Sequence, residues 1–312
     1  MPKILISDAL SNLANEVFER NNIEVDTQTD LTPSELKDII NQYDGLVVRS
    51  ATKATDEIIS AGSKLKIIGR AGAGVDNIDL DSAKKNNVIV MNTPGGNTNA
   101  TAEHTLSLLL SLYRSIPDAS CGTHQGLWEK KKFKGLELKG KTLGIIGFGN
   151  VGARFAEMAF ALGINVTVCS ESFPSRQKDF PNFASIDLSE LISNSDIISF
   201  HCKAPKDGKA IISMSQLKLM KKKSVIINTA RGGLVDEIDL KKALEEGIIR
   251  GAALDVFSNE PAKSNVLFDA PNLILTPHIA ASTVEAQIVV AEQIAKQISE
   301  YFNNGKVVNA VN

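Results

Sequence analysis

The run Gly147-Phe148-Gly149-Asn150-Val151-Gly152 constrains the fold of this chain more than any other feature. It lies between a short apolar segment, Thr142–Ile146, and a helical pattern over residues 153–162. In such a strand–turn–helix setting the glycines allow a tight turn, a close approach to a pyrophosphate and close helix–strand packing. The helix N-terminus adds free N–H groups and a positive dipole end. The run therefore predicts a dinucleotide site with the binding residues Gly147, Gly149, Asn150, Val151 and Gly152.

The bulk composition narrows the class of protein. A chain of 312 residues with 43% hydrophobic and 22% charged residues predicts a globular protein of two domains. The net charge of −2 gives no support for a nucleic-acid or membrane partner. The 3 cysteines show neither a C-x-x-C nor a metal-ligand spacing, which favours a reducing cytoplasm and no metal site. The N-terminus reads at once as a strand rather than as a signal peptide.

Short apolar runs alternate with helical patterns along the chain, which predicts an α/β fold with parallel sheets. The predicted strands are residues 3–7, 23–26, 45–49, 66–69, 88–91, 142–146, 164–169, 196–200, 224–229, 251–255 and 273–275. The predicted helices include residues 12–20, 34–42, 55–61, 98–116, 153–162 and 283–302, with an irregular lysine-rich stretch up to Lys141.

The glycine run stands near the middle of the chain, so we expect a nucleotide-binding domain inserted into a second domain. Both would be Rossmann-like, doubly wound parallel-sheet domains. We predict a flavodoxin-like substrate-binding domain from residues 1–94 and 284–312, and an NAD(P)-binding domain over residues 95–283. The Pro/Gly-containing stretch from Asn92 to Gly96 marks a loop or hinge between them.

Arg231, Glu260 and His278 each follow a predicted strand of the second half of the chain. The carboxyl ends of parallel strands share one edge of a sheet, which is the edge where the glycine turn would hold a dinucleotide. We therefore expect the three side chains to meet there. Arginine can hold a carboxylate through two hydrogen bonds, histidine can take a hydroxyl proton, and glutamate can orient the imidazole. Together they predict oxidation of a 2-hydroxy acid.

Each of these residues has an ordinary explanation when taken alone. Arg231 could pair with a surface acid, Glu260 could be a turn residue, and His278 could be a satisfied loop histidine. Their shared position at strand ends favours the catalytic interpretation. The remaining histidines, His104, His124 and His201, are weaker candidates. A serine nucleophile or a metal centre lacks the motifs that either would need.

Several segments resemble the phosphoglycerate dehydrogenase branch of the D-isomer 2-hydroxyacid dehydrogenase superfamily, and the resemblance covers essentially the whole chain. These segments are Val48-Arg49-Ser50-Ala51-Thr52, Gly69-Arg70-Ala71-Gly72-Ala73-Gly74-Val75-Asp76-Asn77, Met91-Asn92-Thr93-Pro94, Thr229-Ala230-Arg231-Gly232-Gly233-Leu234-Val235-Asp236-Glu237, Gly251-Ala252-Ala253-Leu254-Asp255-Val256-Phe257 and Pro277-His278-Ile279-Ala280-Ala281-Ser282-Thr283.

The resemblance implies roles for further residues. It makes Arg231, Glu260 and His278 the catalytic set, in agreement with the strand-end argument. It assigns the substrate's anionic groups to Arg49, Ser50, Ala73 and Gly74, with Lys130 reaching the phosphate site of a neighbouring subunit. It places Thr229, Asp255 and Ala280 beside the cofactor, and it implies a homodimer or a homotetramer.

The chain departs from the family pattern at three points. Lys130 stands where arginine is common, which keeps the charge but loses the rigid fork. Ser170 replaces the acid that would bond the adenosine ribose, which leaves room for NADP, although Glu171 follows it and favours NAD. Because the sequence ends at Asn312, we expect no C-terminal regulatory domain of the kind that longer members carry.

The resemblance implies oxidation of D-3-phosphoglycerate to 3-phosphohydroxypyruvate, a step of serine biosynthesis. Two alternatives stay open. One is the same chemistry on another D-2-hydroxy acid, such as glycerate, glyoxylate, hydroxypyruvate or a sulfonated analogue. The other is an NADH-sensing binding protein of the co-repressor type, against which the intact Arg231, Glu260 and His278 set argues.

Overall fold

The computed structural model describes residues 1–205 and 207–312. Its strands are β1 Lys3–Ile6, β2 Glu24–Thr27, β3 Gly45–Val48, β4 Ile67–Arg70, β5 Ile89–Asn92, β6 Thr142–Ile146, β7 Asn165–Cys169, β8 Ala184–Ser185, β9 Ile197–Phe200, β10 Val225–Asn228, β11 Gly251–Leu254 and β12 Leu273–Leu275. Its α-helices are α1 Leu13–Arg20, α2 Pro33–Ile39, α3 Asp56–Ala61, α4 Leu80–Lys85, α5 Thr98–Arg114, α6 Ile116–His124, α7 Asn150–Ala161, α8 Phe173–Arg176, α9 Leu188–Asn194, α10 Met214–Leu217, α11 Glu237–Glu245 and α12 Val284–Asn304. Short 3₁₀ turns cover Ile40–Gln42 and Gln177–Asp179.

The chain divides into two compact units, one formed by Met1–Asn97 with Ser282–Asn312 and the other by Thr98–Ala281. In the described residues each unit contains a parallel sheet, with 5 strands in the first unit and 7 in the second. The predicted α/β class with two doubly wound sheets is therefore confirmed. The assignment of substrate binding to one unit and nucleotide binding to the other stays a prediction.

The first unit contains a parallel sheet in the order β2-β1-β3-β4-β5, which is the flavodoxin-like order. Helices α1 and α12 cover one face of this sheet, and α2, α3 and α4 cover the other. Helix α12 packs closely on β4 because Gly69 has no side chain. A Cβ atom at Gly69 would lie 2.6 Å from Cδ1 of Ile298. The last helix of the chain thus completes the core of the first unit.

The second unit contains a parallel sheet in the order β12-β11-β10-β9-β6-β7-β8. The strand order reverses between β6 and β9, and such a switch point is where α/β sheets bind ligands. Strands β6, β9, β10 and β11 are mainly apolar and almost completely buried, as parallel strands covered by helices are. Helices α5 and α7 pack on one face, and α9 and α11 pack on the other.

Helix α6 and strand β8 were missed by the sequence analysis. Residues 116–124 form helix α6, where the sequence predicted the start of an irregular stretch. Helix α5 ends at Arg114 because Ser115 has a positive φ of 50°, and Pro117 then suits the first turn of a new helix. The edge strand β8 has only 2 residues and was missed, because so short a segment carries no periodicity.

No helix in the described part of the chain is long and apolar enough to cross a membrane.

Candidate functional site

The glycine turn joins β6 to α7 in the geometry that its sequence predicts. Gly147 has a φ of +88°, and a Cβ atom there would lie 2.7 Å from the carbonyl oxygen of His201. Gly152 packs against the turn, since its Cβ would lie 2.6 Å from the Gly147 oxygen. Gly149 differs from both, because no atom lies within 4 Å of its Cβ position. The turn is therefore open at Gly149 and closed by packing at its two ends.

Helix α7 begins at Asn150, three residues earlier than its sequence pattern predicts. Gly149 occupies the N-cap position, and its oxygen accepts the first helical bond, from the Ala153 amide, at 3.0 Å. The amides of Asn150, Val151 and Gly152 thus occupy the first turn, where N–H groups have no intrahelical partner. These amides and the helix dipole suit a phosphate anion.

Arg176 fixes the turn from the side of Phe148. Its Nη1 atom donates to the Phe148 carbonyl oxygen at 2.7 Å, and its guanidinium carbon lies 5.2 Å from the Phe148 ring centroid. Ser170 follows β7 directly, and its hydroxyl oxygen lies 3.2 Å from that of Ser172. Ser170 thus stands at the strand end where the sequence placed it, with the exposed Glu171 beside it.

Glu260 and His278 meet at the carboxyl edge of the second sheet. Nδ1 of His278 lies 2.6 Å from Oε2 of Glu260, and the other oxygen of Glu260 accepts the Phe257 amide at 2.9 Å. The side chain of His278 is 48% exposed and that of Glu260 is 33% exposed, so the pair is open to a ligand. Because an ionised carboxylate can only accept, Nδ1 of His278 carries a proton. The free Nε2 atom can then take up or release a proton.

The same contact shifts the pKa values of both groups. The hydrogen bond to Glu260 raises the pKa of His278, against the opposing effect of burial. Burial raises the pKa of Glu260, but hydrogen bonds from His278 and from the Phe257 amide more than compensate and leave the pKa below its usual value. The pair thus favours a charged imidazolium next to a carboxylate.

Arg231 lies in the loop after β10, and its charge acts on His278. Its proximity lowers the pKa of His278, the opposite effect to that of Glu260. The loop is held by the Asn228 side chain, which donates to the Arg231 carbonyl oxygen at 2.8 Å. Gly232 allows this loop to touch the loop after β11, since a Cβ atom there would lie 1.9 Å from the Phe257 oxygen. The structure thus brings the three predicted catalytic residues to one sheet edge.

Asp255 is a fully buried carboxylate at the end of β11. Its Oδ1 atom accepts the Thr276 hydroxyl at 2.6 Å and the Ile279 amide at 2.9 Å, and Oδ2 accepts the Ala280 amide at 2.8 Å. Burial raises the pKa of Asp255, but hydrogen bonds, first from His104 and then from these three groups, lower it overall. Asp255 therefore organises the loop that carries His278, a function that the sequence did not reveal.

Thr229 is buried at the end of β10 and contacts α5. The Thr105 hydroxyl donates to the Thr101 carbonyl at 2.7 Å, and the Thr105 and Thr229 hydroxyl oxygens are 2.8 Å apart. Since the single Thr105 proton is already used, Thr229 donates to Thr105. The remaining lone pairs of Thr229 can only accept, so it suits a ligand with a donor group, such as an amide.

His201 does not fit an acid–base role. Burial lowers its pKa to about 3, and its Nε2 atom lies 2.9 Å from the Ser199 hydroxyl oxygen. Its imidazole thus stays neutral beside the glycine turn. Among the described residues there is no cluster of histidine, cysteine, aspartate or glutamate side chains that could hold a metal ion.

The first unit holds Arg49 and Ser50 in a turn after β3. The buried Asp8 carboxylate accepts the Arg49 amide at 2.6 Å and the Thr52 hydroxyl at 2.7 Å. From the other side, the Asn77 side chain donates to the Arg49 and Thr52 carbonyl oxygens, at 2.8 and 2.6 Å. Asp8 and Asn77 thus fix a cationic turn, although neither was predicted, because their partners are distant in sequence.

A second arginine, Arg70, ends the neighbouring strand β4 and was not singled out as a site residue. Its guanidinium lies against Gly72, where a Cβ atom would fall 1.4 Å from Nη1. Ala73 and Gly74 follow in the same loop, and the Asn92 side chain donates to the Ala73 oxygen at 2.6 Å. The carboxyl edge of this sheet therefore carries two guanidinium groups. The position of an arginine at a strand end, followed by a glycine-rich loop, is the sequence signal that could have identified Arg70 as a candidate site residue.

Lys130 is exposed in the loop after α6, two residues from Trp128, which is 85% exposed. Its predicted role in a neighbouring subunit stays a prediction.

Comparison with known proteins shows what the chain resembles. Residues 106–280 match a family model described as D-isomer specific 2-hydroxyacid dehydrogenase, NAD binding domain. The whole chain is 41% identical to a D-3-phosphoglycerate dehydrogenase of Synechocystis sp., of which it spans 56%. The chain spans 56% to 60% of the length of this and similar curated relatives.

Solved structures agree with the fold. The NAD⁺-bound 3-phosphoglycerate dehydrogenase of Entamoeba histolytica is 31% identical with a TM-score of 0.84, covering 100% of this chain and 98% of its own. A glyoxylate reductase from Paecilomyes thermophila is 28% identical with a TM-score of 0.88, covering 99% and 98%. Proteins with different acid substrates therefore share this architecture.

Proposed function

Because the chain belongs to the D-isomer specific 2-hydroxyacid dehydrogenase family, we propose that it oxidises D-3-phosphoglycerate to 3-phosphohydroxypyruvate with NAD, a step of serine biosynthesis. Relatives that carry the name D-3-phosphoglycerate dehydrogenase support this substrate. The structural observation that supports the chemistry best is the 2.6 Å contact between His278 and Glu260, with Arg231 close enough to shift the pKa of His278.

The residues of the glycine turn fit a dinucleotide. The open side of Gly149 leaves room for a pyrophosphate, and the amides of Asn150, Val151 and Gly152 supply donors for it. Thr229 supplies an acceptor for an amide group, while Asp255 fixes the backbone at Ala280. When bound, the nicotinamide ring supplies the acceptor for the hydride from the substrate's carbon 2.

His278 moves the proton of the reaction. In oxidation, Nε2 of the neutral imidazole takes the proton of the 2-hydroxyl group, and the O–H electron pair forms the carbonyl as the hydride leaves. Glu260 stabilises the imidazolium that results and holds the ring in the tautomer with a proton on Nδ1. In reduction, the same nitrogen returns the proton to the carbonyl oxygen.

Arg231 binds the substrate carboxylate, for which its forked donors are suited. The second anionic group of the substrate requires further cations. Arg49 and Ser50 are proposed to bind it, with the backbone at Ala73 and Gly74. The network from Asp8 and Asn77 supports this role, because it holds the Arg49 turn rigid on both sides.

NAD is the proposed cofactor rather than NADP. Glu171 brings a carboxylate to the end of β7, where a 2′-phosphate would lie. Arg176, the nearby cation, donates to the Phe148 carbonyl and packs on aromatic rings. Comparing kcat/KM for NAD and NADP tests the preference. A higher value with NADP would reverse it.

Substrate profiling decides between this function and its alternatives. We expect NADH oxidation to be fastest with 3-phosphohydroxypyruvate and slower with hydroxypyruvate or glyoxylate. Equal rates would assign the protein to another D-2-hydroxy acid, as the similarity to a glyoxylate reductase allows. NADH binding without turnover of any of these acids would support the sensor alternative.

The proposed assembly is a homodimer or a homotetramer in the cytoplasm. The exposed Trp128 supports a subunit contact, since a large exposed aromatic side chain suits an interface. Light scattering of the purified protein tests the assembly, and a monomer would contradict it.

A further inference from the structure

His104 is a largely buried histidine that contacts the loop after β12. It lies in the first half of α5, and its side chain is 19% exposed. Its Nε2 atom lies 3.1 Å from Oγ1 of Thr276 and 3.4 Å from Oδ1 of Asp255. Helix α5 thus contacts Thr276 and Asp255, the two residues that hold the loop carrying His278.

The supply of protons in this cluster fixes the direction of each hydrogen bond. Thr276 has one hydroxyl proton and donates it to Asp255 at 2.6 Å. The Thr276 oxygen must therefore accept from His104, so Nε2 of His104 carries a proton. This N–H group donates to the Thr276 oxygen, and the Asp255 carboxylate lies 3.4 Å from the same nitrogen. His104 accordingly acts on the pair as a donor.

The loop that follows Thr276 depends on this pair for its conformation. Asp255 accepts the amides of Ile279 and Ala280, which flank His278 on its C-terminal side. His278 itself has a φ of +53°, a conformation that residues other than glycine seldom adopt. Such a conformation persists only where surrounding contacts enforce it. The contacts that enforce it here come from Asp255, through these two amides, and from Thr276, whose carbonyl oxygen accepts the His278 amide at 3.0 Å. His104 in turn bonds to the Thr276 hydroxyl group.

We propose that His104 is a positioning residue for the dehydrogenase reaction, because its Nε2–H group fixes the Thr276–Asp255 pair and thereby the loop that carries His278. The inference rests on the proposed function, since it gives His278 the proton transfer. A displacement of about 1 Å at a reacting group can cost on the order of a hundredfold in rate. The donor on α5 thus matters for catalysis although it contacts neither Glu260 nor His278.

Paired substitutions at His104 test the donor. His104→Leu removes the N–H group, whereas the side-chain amide of His104→Gln can donate from a similar position. We expect His104→Leu to lower kcat by roughly tenfold to a hundredfold with little change in the KM of the substrate. His104→Gln should restore kcat to within a few-fold of the wild type. His124→Leu is the matched control, since His124 is exposed at the end of α6.

A measurement without substrate separates this inference from the proposed function. The chain has 4 histidines, so the NMR signal of His278 can be assigned by single substitutions. The groups that set the pKa of His278 are Glu260, Asp255 and Arg231. If His104→Leu loosens the loop, the Glu260 contact weakens and the pKa of His278 falls. His104→Gln and His124→Leu should leave that pKa unchanged.

Two results would overturn the inference. One is wild-type kcat and an unchanged pKa of His278 in His104→Leu. The other is an equal loss in His104→Leu and His104→Gln, which would assign the effect to packing rather than to the donor. If the wild type turned over no 2-hydroxy acid while the pKa of His278 still fell in His104→Leu, the proposed function would fail and the role of His104 in holding the loop would stand.

Discussion

Nδ1 of His278 lies 2.6 Å from Oε2 of Glu260, although the two residues are 18 positions apart in the chain. The contact joins the loop after β11 to the loop after β12, and these two strands are neighbours in the sheet. It leaves Nε2 of the imidazole free to exchange a proton and gives that nitrogen a fixed direction. The predicted chemistry of the site follows from this arrangement.

Replacing His278 by alanine should lower kcat by roughly a hundredfold to ten-thousandfold, the usual cost of losing an acid–base group. The fold should persist, because the side chain is 48% exposed. Steady-state assays of NADH formation measure the loss, and thermal unfolding checks the fold. His124→Ala serves as a control. A variant with wild-type kcat would exclude His278 as the proton acceptor.

Glu260→Gln should move the acid limb of the pH–rate profile to lower pH. The hydrogen bond to Glu260 raises the pKa of His278, and oxidation needs the neutral imidazole. The rate therefore falls as the pH drops through that pKa, and removing the carboxylate lowers the pKa. The profile of kcat/KM for oxidation measures the shift. An unmoved limb would mean that another group controls it.

The same substitution should have a pH-dependent effect on stability. Because the pKa of His278 is raised in the folded state, its protonation stabilises the fold at pH values below about 6.5, the ordinary pKa of histidine. This stabilisation is lost as the pH rises through the folded-state pKa. Because the pKa of Glu260 is lowered in the folded state, its ionisation stabilises the fold at pH values above about 4.5, the ordinary pKa of glutamate. This stabilisation is lost as the pH falls through the folded-state pKa. Chemical denaturation should therefore show the largest loss for Glu260→Gln between these two pH values.

Alanine at Gly149 and at Gly152 should have opposite consequences. A Cβ atom at Gly149 meets no protein atom within 4 Å, whereas one at Gly152 lies 2.6 Å from the Gly147 oxygen. Gly149→Ala should keep the thermal midpoint and weaken NADH binding at least tenfold, because the methyl group occupies the space for the pyrophosphate. Gly152→Ala should lower the midpoint. Tight NADH binding by Gly149→Ala would contradict the assignment of the turn.

Replacing Ser170 by aspartate should raise the preference for NAD over NADP. A carboxylate at the end of β7 can accept from the ribose hydroxyl and repels a 2′-phosphate. The ratio of the two kcat/KM values measures the change, and Ser172→Asp, two residues further along, is the control. An unchanged ratio would show that the ribose is recognised elsewhere.

Mixed oligomers should reveal whether Lys130 acts in a neighbouring subunit. Lys130→Ala and His278→Ala should each lower activity at limiting substrate. Co-refolding the two variants should restore activity, because a site with an intact His278 then receives an intact Lys130 from the other subunit. A mixture of His278→Ala and His278→Asn controls for refolding. Absence of recovery would place Lys130 in its own subunit's site or in none.

Local patterns were sufficient to predict most of the fold. Each predicted strand agrees with its observed counterpart to within one residue at each end, because buried parallel strands are short apolar runs bounded by polar residues. The glycine turn could be predicted equally well, since a Cβ atom at Gly147 or Gly152 would clash with the protein, while Gly149 leaves the turn open. Helix α6 was not, because the positive φ of Ser115 that separates it from α5 has no composition signal.

The sequence by itself determined the α/β class, the glycine turn and the meeting of Arg231, Glu260 and His278, because parallel strands place their carboxyl ends together whatever the exact packing. Only the tertiary structure decided how these groups are held. Asp255, His104 and Thr276 form one cluster although His104 is 172 positions from Thr276. Such a contact depends on where α5 packs on the sheet, and no local sequence pattern predicts that position.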